Sequence, residues 1–576
     1  MKHILSYLKP YKLLVIIAYA LTFIELIIEL LLPFFLGKMI NNGVVNQDLN
    51  NIIMWGSIMI GLSLIAFVSG ILNSFYASHA SNNLGLDIRN ELFTKIQSFS
   101  FSILNQFPTS ALVTRFTNDI RQVQNTVFMG LRIMIRAPLM IIGSVIMALI
   151  INFKLASIFL FVVPIAILFV FWVFKKGSVM FNNVQRKTDS VNLVMQENLM
   201  NMRLIKAFTR HKFERLRFSK VNEDLSSLMR RAFRFIDASM PALLFVMNLS
   251  LIFIIWFGSV QTIAGDSNIG DVVAIINYAL RITMAISMLT FIILSFSRLK
   301  ASSERLNDVL LIDNNFLKHQ DQTNRNKITN GKIDFNNVSF TYPKSNSHIL
   351  KNISFKVKPN ERVAFMGATG SGKTSLFQLI PLLYEPSLGT IQIDNRSIND
   401  YSLNELRLSI GYVPQNPLLF SGSIKDNLIW GKEDATDDEI IQACKDAQIH
   451  NLIMNLPKQY DTHVSQQGVN LSGGQKQRLS IARALVRKPT ILMLDDSTSA
   501  LDLTTERKLF KAIDKEDCTT LLITQKVSTA KEFDRIILLD YGEIIANGTH
   551  EELLASSHLY QQIVKSQEGG GYSVSS

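Results

Sequence analysis

The sequence predicts an α-helical six-span transmembrane domain with long cytoplasmic helical extensions, fused to an α/β P-loop domain. Three observations carry that prediction. Long apolar segments crowd the first 300 residues, a strand–glycine loop–helix phosphate motif stands at 367–374, and near residue 333 the pattern changes to alternating strands and helices.

The membrane part comes first. Of 576 residues 48% are hydrophobic, and 37 Phe and 20 Met raise the mean hydropathy to +0.22, above what a soluble chain of this size needs. Six apolar segments, at 13–36, 52–76, 129–151, 153–174, 241–264 and 270–296, each approach the ~20 residues a helix needs to cross hydrocarbon. The opening "MKHILSYLKPYK" reads as an amphipathic elbow over 1–12 at the bilayer surface rather than a cleavable signal, because the apolar run after it is too long.

Charge sets the orientation. The net charge of +12 is concentrated in stretches such as 175–235, which runs from Lys175 and Lys176 to Arg230, Arg231 and Arg234. The loops near 41–50 and 264–269 carry Asp48 and Asp266 and neither Lys nor Arg. By the positive-inside rule the basic loops and both termini are cytoplasmic, in a multi-pass protein of the cell membrane. This accounts for much of the excess without a nucleic-acid partner. The two cysteines, Cys444 and Cys518, read as reduced cytosolic thiols.

The intervening cytoplasmic stretches, 77–128 and 175–240, keep helical periodicity with almost no Gly or Pro. As helical hairpins they reach roughly 45 Å beyond the bilayer and act as levers. The transmembrane domain is thus expected over 13–300, a linker over 301–332, the P-loop domain over 333–566 and a flexible tail over 567–576. Within the first span, Glu25 and Glu29 share one helix face. They either attract a cationic substrate or pair with another helix, Arg132, Arg136 and Arg281 being the candidate partners.

"GATGSGKT" follows the apolar strand "RVAFM" and precedes a helical stretch. Gly367, Ala368, Thr369, Gly370, Ser371 and Gly372 let backbone N–H groups surround a phosphate, Lys373 bridges the β- and γ-phosphates, and Thr374 offers its hydroxyl to Mg²⁺. Asp495 ends the strand "TILML" as a metal-holding acid.

"LSGGQKQRLSIARAL" at 471–485, between that loop and "ILMLDDSTSALD", resembles the ATPase domain of ABC transporters. The motif order agrees, with an aromatic (Tyr342), the "YVPQ" turn (Gln415), the signature, the acidic strand end and the "SALD" loop. The first 300 residues resemble the membrane domain of type I ABC exporters, and 107–120 and 201–218 resemble its two cytoplasmic coupling regions. The resemblance implies an α/β P-loop ABC ATPase domain that pairs head to tail with a second half-transporter, sandwiching ATP and Mg²⁺. Tyr342 then stacks on adenine, Gln415 contacts metal and attacking water, and Ser472, Gly473, Gly474 and Gln475 meet the nucleotide of the partner. The signature also makes physical sense, because its glycines open a helix whose positive end can face a γ-phosphate.

Three positions depart from the family. The residue after Asp495 is usually Glu and here is Asp496, one methylene shorter; a displacement of about 1 Å can cost on the order of a hundredfold in rate. The switch-loop histidine is replaced by Gln525, which can donate a hydrogen bond without carrying a cation. Gln467 also stands where exporters usually place Glu. The pattern resembles the degenerate-site subunit of bacterial heterodimeric multidrug exporters, which implies ATP-driven export of small amphipathic compounds. The alternative is a homodimeric exporter of lipid, peptide or drug with both sites active. A soluble ABC-type ATPase acting on DNA or ribosomes is disfavoured by the six apolar spans, and an ATP-gated channel on the same fold is the remaining rival.

Overall fold

A computed structural model of the protein describes residues 1–312, 327–343, 345 and 347–568. The chain divides into two compact units, one of Met1–Lys95 with Thr109–Ile312, the other of Ile96–Pro108 with the chain beyond Ile312.

In the first unit six helical stretches are long and apolar enough to cross a membrane. Their regular helices are α1 (Lys12–Met39), α2 (Leu49–Gln97), α3 (Arg136–Ile151), α4 (Phe153–Met200), α5 (His211–Ile263) and α6 (Ile269–Leu310). The break between α3 and α4 falls at Asn152, whose extended backbone and side chain, accepting from the Leu155 N–H at 3.1 Å, start the new helix. Pro33 sits inside α1 without ending it. The levers are continuations of the spans: α5 has 53 residues and so runs about 80 Å. The elbow residues Tyr7 and Tyr11 donate to Glu91 and Asp87 of α2 at 2.5 and 2.9 Å, one turn apart on each side.

Helix α6 continues to Leu310, past the expected start of the linker at 301, and residues 313–326 of that segment lie outside the described residues. The reason is a polar anchor. Asp119, 2% exposed, accepts from Ser302 Oγ and Arg305 Nε, each at 2.9 Å, and forms an ion pair with the Arg305 guanidinium. Leu306, Val309 and Leu310 are buried behind it. Arg305 is half exposed, so replacing Asp119 by Ala is expected to cost about 1–2 kcal/mol, read as an earlier thermal aggregation of the detergent-purified chain. Asp119→Asn, which keeps an acceptor, should lose less.

The second unit pairs two sheets. An antiparallel sheet has the order β2-β1-β4-β5, from β1 (Ile333–Phe340), β2 (Leu350–Val357), β4 (Leu388–Ile393) and β5 (Arg396–Ser397). The larger sheet has the order β12-β11-β3-β10-β9-β6, with β3 (Arg362–Met366), β6 (Ile410–Val413), β9 (Ile491–Asp495), β10 (Thr519–Ile523), β11 (Arg535–Asp540) and β12 (Glu543–Gly548). Two-residue strands β7 (Gly422–Ser423) and β8 (His463–Val464) pair apart from both. Strands β9 and β10 are buried at every residue, as expected of parallel strands covered on both faces.

The helix Phe101–Leu104 belongs with this unit. Phe101 packs against Tyr384, and Asn105 Nδ2 donates to the Tyr384 hydroxyl at 2.5 Å. That contact lies just upstream of the 107–120 coupling region read from sequence, whose Asp119 is committed to α6 instead. At the other end, the helix His558–Glu568 extends into the expected tail and orders Gln567, while 569–576 lie outside the described residues.

Candidate functional site

Strand order assembles the site. Strand β10 lies between β3 and β9, with Ile523 opposite both Phe365 and Asp495. The loops leaving these three strands at one end are therefore neighbours: 367–372 after β3, Asp496 after β9, and Gln525 after β10.

The phosphate loop is shaped by Gly367, whose φ of +147° and position against the Leu539 carbonyl (2.0 Å from where a Cβ would stand) admit no side chain. Lys373 opens the helix Lys373–Leu379 and curls its ammonium back to Gly367 O, Ala368 O and Ser371 Oγ at 2.9, 2.7 and 3.2 Å. Burial pulls this ammonium below its ordinary pKa, against the Asp496 and Asp495 carboxylates. Thr374 Oγ1 donates to Asp495 Oδ1 at 3.1 Å, and Tyr412 donates to the other oxygen at 3.4 Å. Burial pushes Asp495 above the usual carboxylate range, these two hydrogen bonds opposing it.

Asp496 stands beside them. Its φ is +46°, its N–H donates to Ile523 O at 3.0 Å, and Gln415 Nε2 donates to its Oδ2 at 3.4 Å. Burial raises its pKa, while Gln415, Lys526 and Lys373 pull it down. With its nitrogen turned to Asp496, Gln415 has an amide oxygen that no hydrogen bond occupies among the described residues. A hydroxyl, a carboxylate and an amide oxygen are the hard donors Mg²⁺ takes together with phosphates and water, so Thr374, Asp495 and Gln415 fit that ion.

A cavity of about 310 Å³ gathers Tyr342, Thr369, Gly370, Gly372, Lys373, Thr374, Gln415, Asp495, Asp496 and Gln525. Tyr342 reaches it with its hydroxyl tied to Ser375 Oγ at 2.9 Å and Gln378 Oε1 at 3.1 Å, and its ring set edge-on to Tyr384. Ser472, Gly473, Gly474 and Gln475 are not among the residues lining this cavity. They open the helix Gly473–Val486, where Ser472 Oγ accepts from Gln475 N and Gln475 Oε1 accepts from Ser472 N, a reciprocal cap. Gln475 thus works as a cap, while the Ser472 O–H remains a donor at an exposed helix tip.

Sequence reasoning missed three side chains here. Tyr412 binds Asp495, although "YVPQ" was in view; Lys526 and Gln567 hold the segment around Gln525, and only their contacts reveal it.

Residues 15–286 match the family described as ABC transporter transmembrane region, and 350–499 that described as ABC transporter. An uncharacterised ABC transporter ATP-binding protein of Bacillus subtilis, YfiB, is 51% identical, covering 99% of both chains. A Staphylococcus aureus protein provisionally named a multidrug export ATP-binding/permease protein is 32% identical over 98% of this chain and 99% of its own. In fold, the chain is similar to the structure of a bacterial Atm1-family ABC exporter with ATP bound, with a TM-score of 0.79 at 21% identity over 98% of this chain and 99% of that one.

Proposed function

This chain belongs to the ABC transporter family, and we propose that it exports amphipathic compounds as one half of a heterodimer whose other half supplies the faster hydrolytic pocket. Its membership makes it a membrane-embedded exporter half with a cytoplasmic ATPase domain, working as a dimer and coupling ATP hydrolysis to transport. The finer reading rests on one observation: Asp496 and Gln525 line the same pocket as an unaltered phosphate loop. The name of the Staphylococcus aureus relative supports a multidrug-type cargo.

Surfaces left uncovered support a partner chain. The outer half of α2, as at Ile60, Leu64 and Phe67, is exposed as a lipid-facing span must be, but the lever turn 202–208, beyond the apolar spans, exposes Leu204 and Phe208. On the second unit, exposed Leu418 and the stacked Phe420 and Trp430 rim a groove whose lining also includes Arg407, Arg483 and Arg487.

In the proposed cycle the phosphate loop and Lys373 bind the triphosphate and Tyr342 borders the base. Thr374, Asp495 and Gln415 would hold Mg²⁺, which would supply positive charge to the phosphate oxygens. Gln415 keeps Asp496 oriented, but the shorter carboxylate and the uncharged Gln525 leave water poorly activated there. The Ser472 hydroxyl and the helix tip behind it face the γ-phosphate in the partner's pocket and stabilise its developing charge.

The second reading, a homodimer with both pockets active, draws on the backbone at Asp496. Its φ of +46° is a conformation that Asp enters more readily than Glu, a local reason for Asp unrelated to rate. ATPase assays on the complex purified from its native membrane separate the two. Replacing Gly474 by Asp, or Ser472 by Arg, is expected to lower turnover on the order of a hundredfold or more, and Asp496→Asn to change it by less than about twofold. If Asp496→Asn silences the complex as fully as the signature changes, the heterodimer reading fails and the homodimer stands.

A further inference from the structure

The segment after Asp496 is gripped from two sides by side chains outside the nucleotide cavity. From the signature helix, Gln477, 5% exposed, donates Nε2 to Ser499 Oγ at 3.2 Å and accepts from Ala500 N at 3.0 Å. From the switch loop, Lys526 Nζ donates to Thr498 O at 3.2 Å, Leu501 O at 3.4 Å and Glu506 Oε2 at 3.1 Å. Three ammonium donors meet three acceptors.

The backbone that carries Lys526 is fixed as well. Its N–H donates to Thr524 Oγ1 at 3.1 Å. Gln567 of the C-terminal helix brackets it, donating to Gln525 O at 2.7 Å and accepting from Val527 N at 2.9 Å. Glu506, 2% exposed, has Lys526 as its counter-charge. The Lys526 side chain stays 32% exposed while Glu506 is buried, and among the described residues Glu506 Oε1 has no hydrogen-bond partner, so the carboxylate depends on this one ammonium.

We infer that Lys526 is a positioning residue for ATP hydrolysis, holding the Thr498–Leu501 backbone so that Asp496 and the signature helix keep one register. The physical route is short. The switch loop grips the segment at Thr498 and Leu501, and the signature helix grips the same segment at Ser499 and Ala500. Movement of either loop is therefore felt by the other. The arrangement also sets a cation one residue from Gln525, where the side chain has none. It does not depend on whether this chain's own pocket is slow or fast, because the gripped segment adjoins both the Asp496 pocket and the helix tip offered to a partner.

The test uses the full-length transporter, purified in the assembly it forms in its host membrane and reconstituted in lipid. Lys526→Met is expected to lower kcat for ATP by about a hundredfold, the cost of a misplaced catalytic loop. KM for ATP should stay within about twofold, because Lys526 makes no hydrogen bond to the phosphate loop. Lys526→Arg, which keeps the charge and several donors, should restore most of the loss. Lys526→Met with Glu506→Gln removes the stranded buried charge, so thermal stability should return while kcat remains low. Recovery of kcat in that double variant would reduce Lys526 to a counter-ion and overturn the inference. So would a rise in KM that accounts for the whole loss.

Discussion

Lys373→Met is expected to abolish tight ATP binding to this chain's pocket. The ammonium is the cation held against the phosphate loop, fixed by the Gly367 and Ala368 carbonyls at the start of the following helix. Hydrogen bonds to charged groups contribute about 1.5–3 kcal/mol each. Loss of even one at about 3 kcal/mol lowers affinity on the order of a hundredfold. Lys373→Arg should rescue little, since the planar guanidinium must enter a closed cradle shaped for a point charge. Binding of a fluorescent ATP analogue to the purified chain measures this without reference to turnover. Unchanged affinity in the Met variant would remove Lys373 from the site.

The first half of the fold was legible because a lipid-spanning helix must be apolar along its length, and because Asn152 falls at the short break between two adjacent apolar segments. The nucleotide loop was legible for a different reason. Glycine, lysine and hydroxyl positions there are dictated by contact with phosphate, so their spacing survives in the linear sequence. Boundaries set by long-range polar contacts were not. Helix α6 runs on because Asp119, far away in sequence, binds Ser302 and Arg305. The C-terminal helix keeps Gln567 because the switch loop offers it a carbonyl and an N–H, whereas the Gly-rich stretch beyond suggested an earlier end. The left-handed backbone at Asp496 is likewise invisible in "LDDST": a missing methylene can be read from a letter, but a φ angle cannot.

Glu25 and Glu29 show what pairing does inside a membrane, and they carry the other large expected effect. Arg136 of α3 donates Nη1 to Glu25 Oε1 at 2.8 Å and Nη2 to Glu29, so one guanidinium bridges two carboxylates of α1. Arg132 turns instead to Ser74 Oγ. The helix-pairing reading accounts for both acids: Arg281 of α6 lies within electrostatic range of Glu29 and Arg136, so the two carboxylates face two guanidinium charges. Arg136→Met removes the guanidinium that both carboxylates touch and leaves Arg281 as the remaining counter-charge, so one of the two anions is stranded at membrane depth. The pair is partly buried, with the Arg136 side chain 26% exposed, so breaking it costs less than the about 3–5 kcal/mol of a fully buried pair but enough to depress folded yield and thermal stability. Adding Glu25→Gln and Glu29→Gln to Arg136→Met should restore most of the yield, because neutral amides hydrogen-bond each other without a counter-charge. Efflux of a cationic and a neutral dye from reconstituted vesicles then asks whether the residual charge selects cargo. With pairing as the whole role, the Gln pair transports both dyes alike. Selective loss of the cationic dye would show that the Glu25 and Glu29 carboxylates also face substrate.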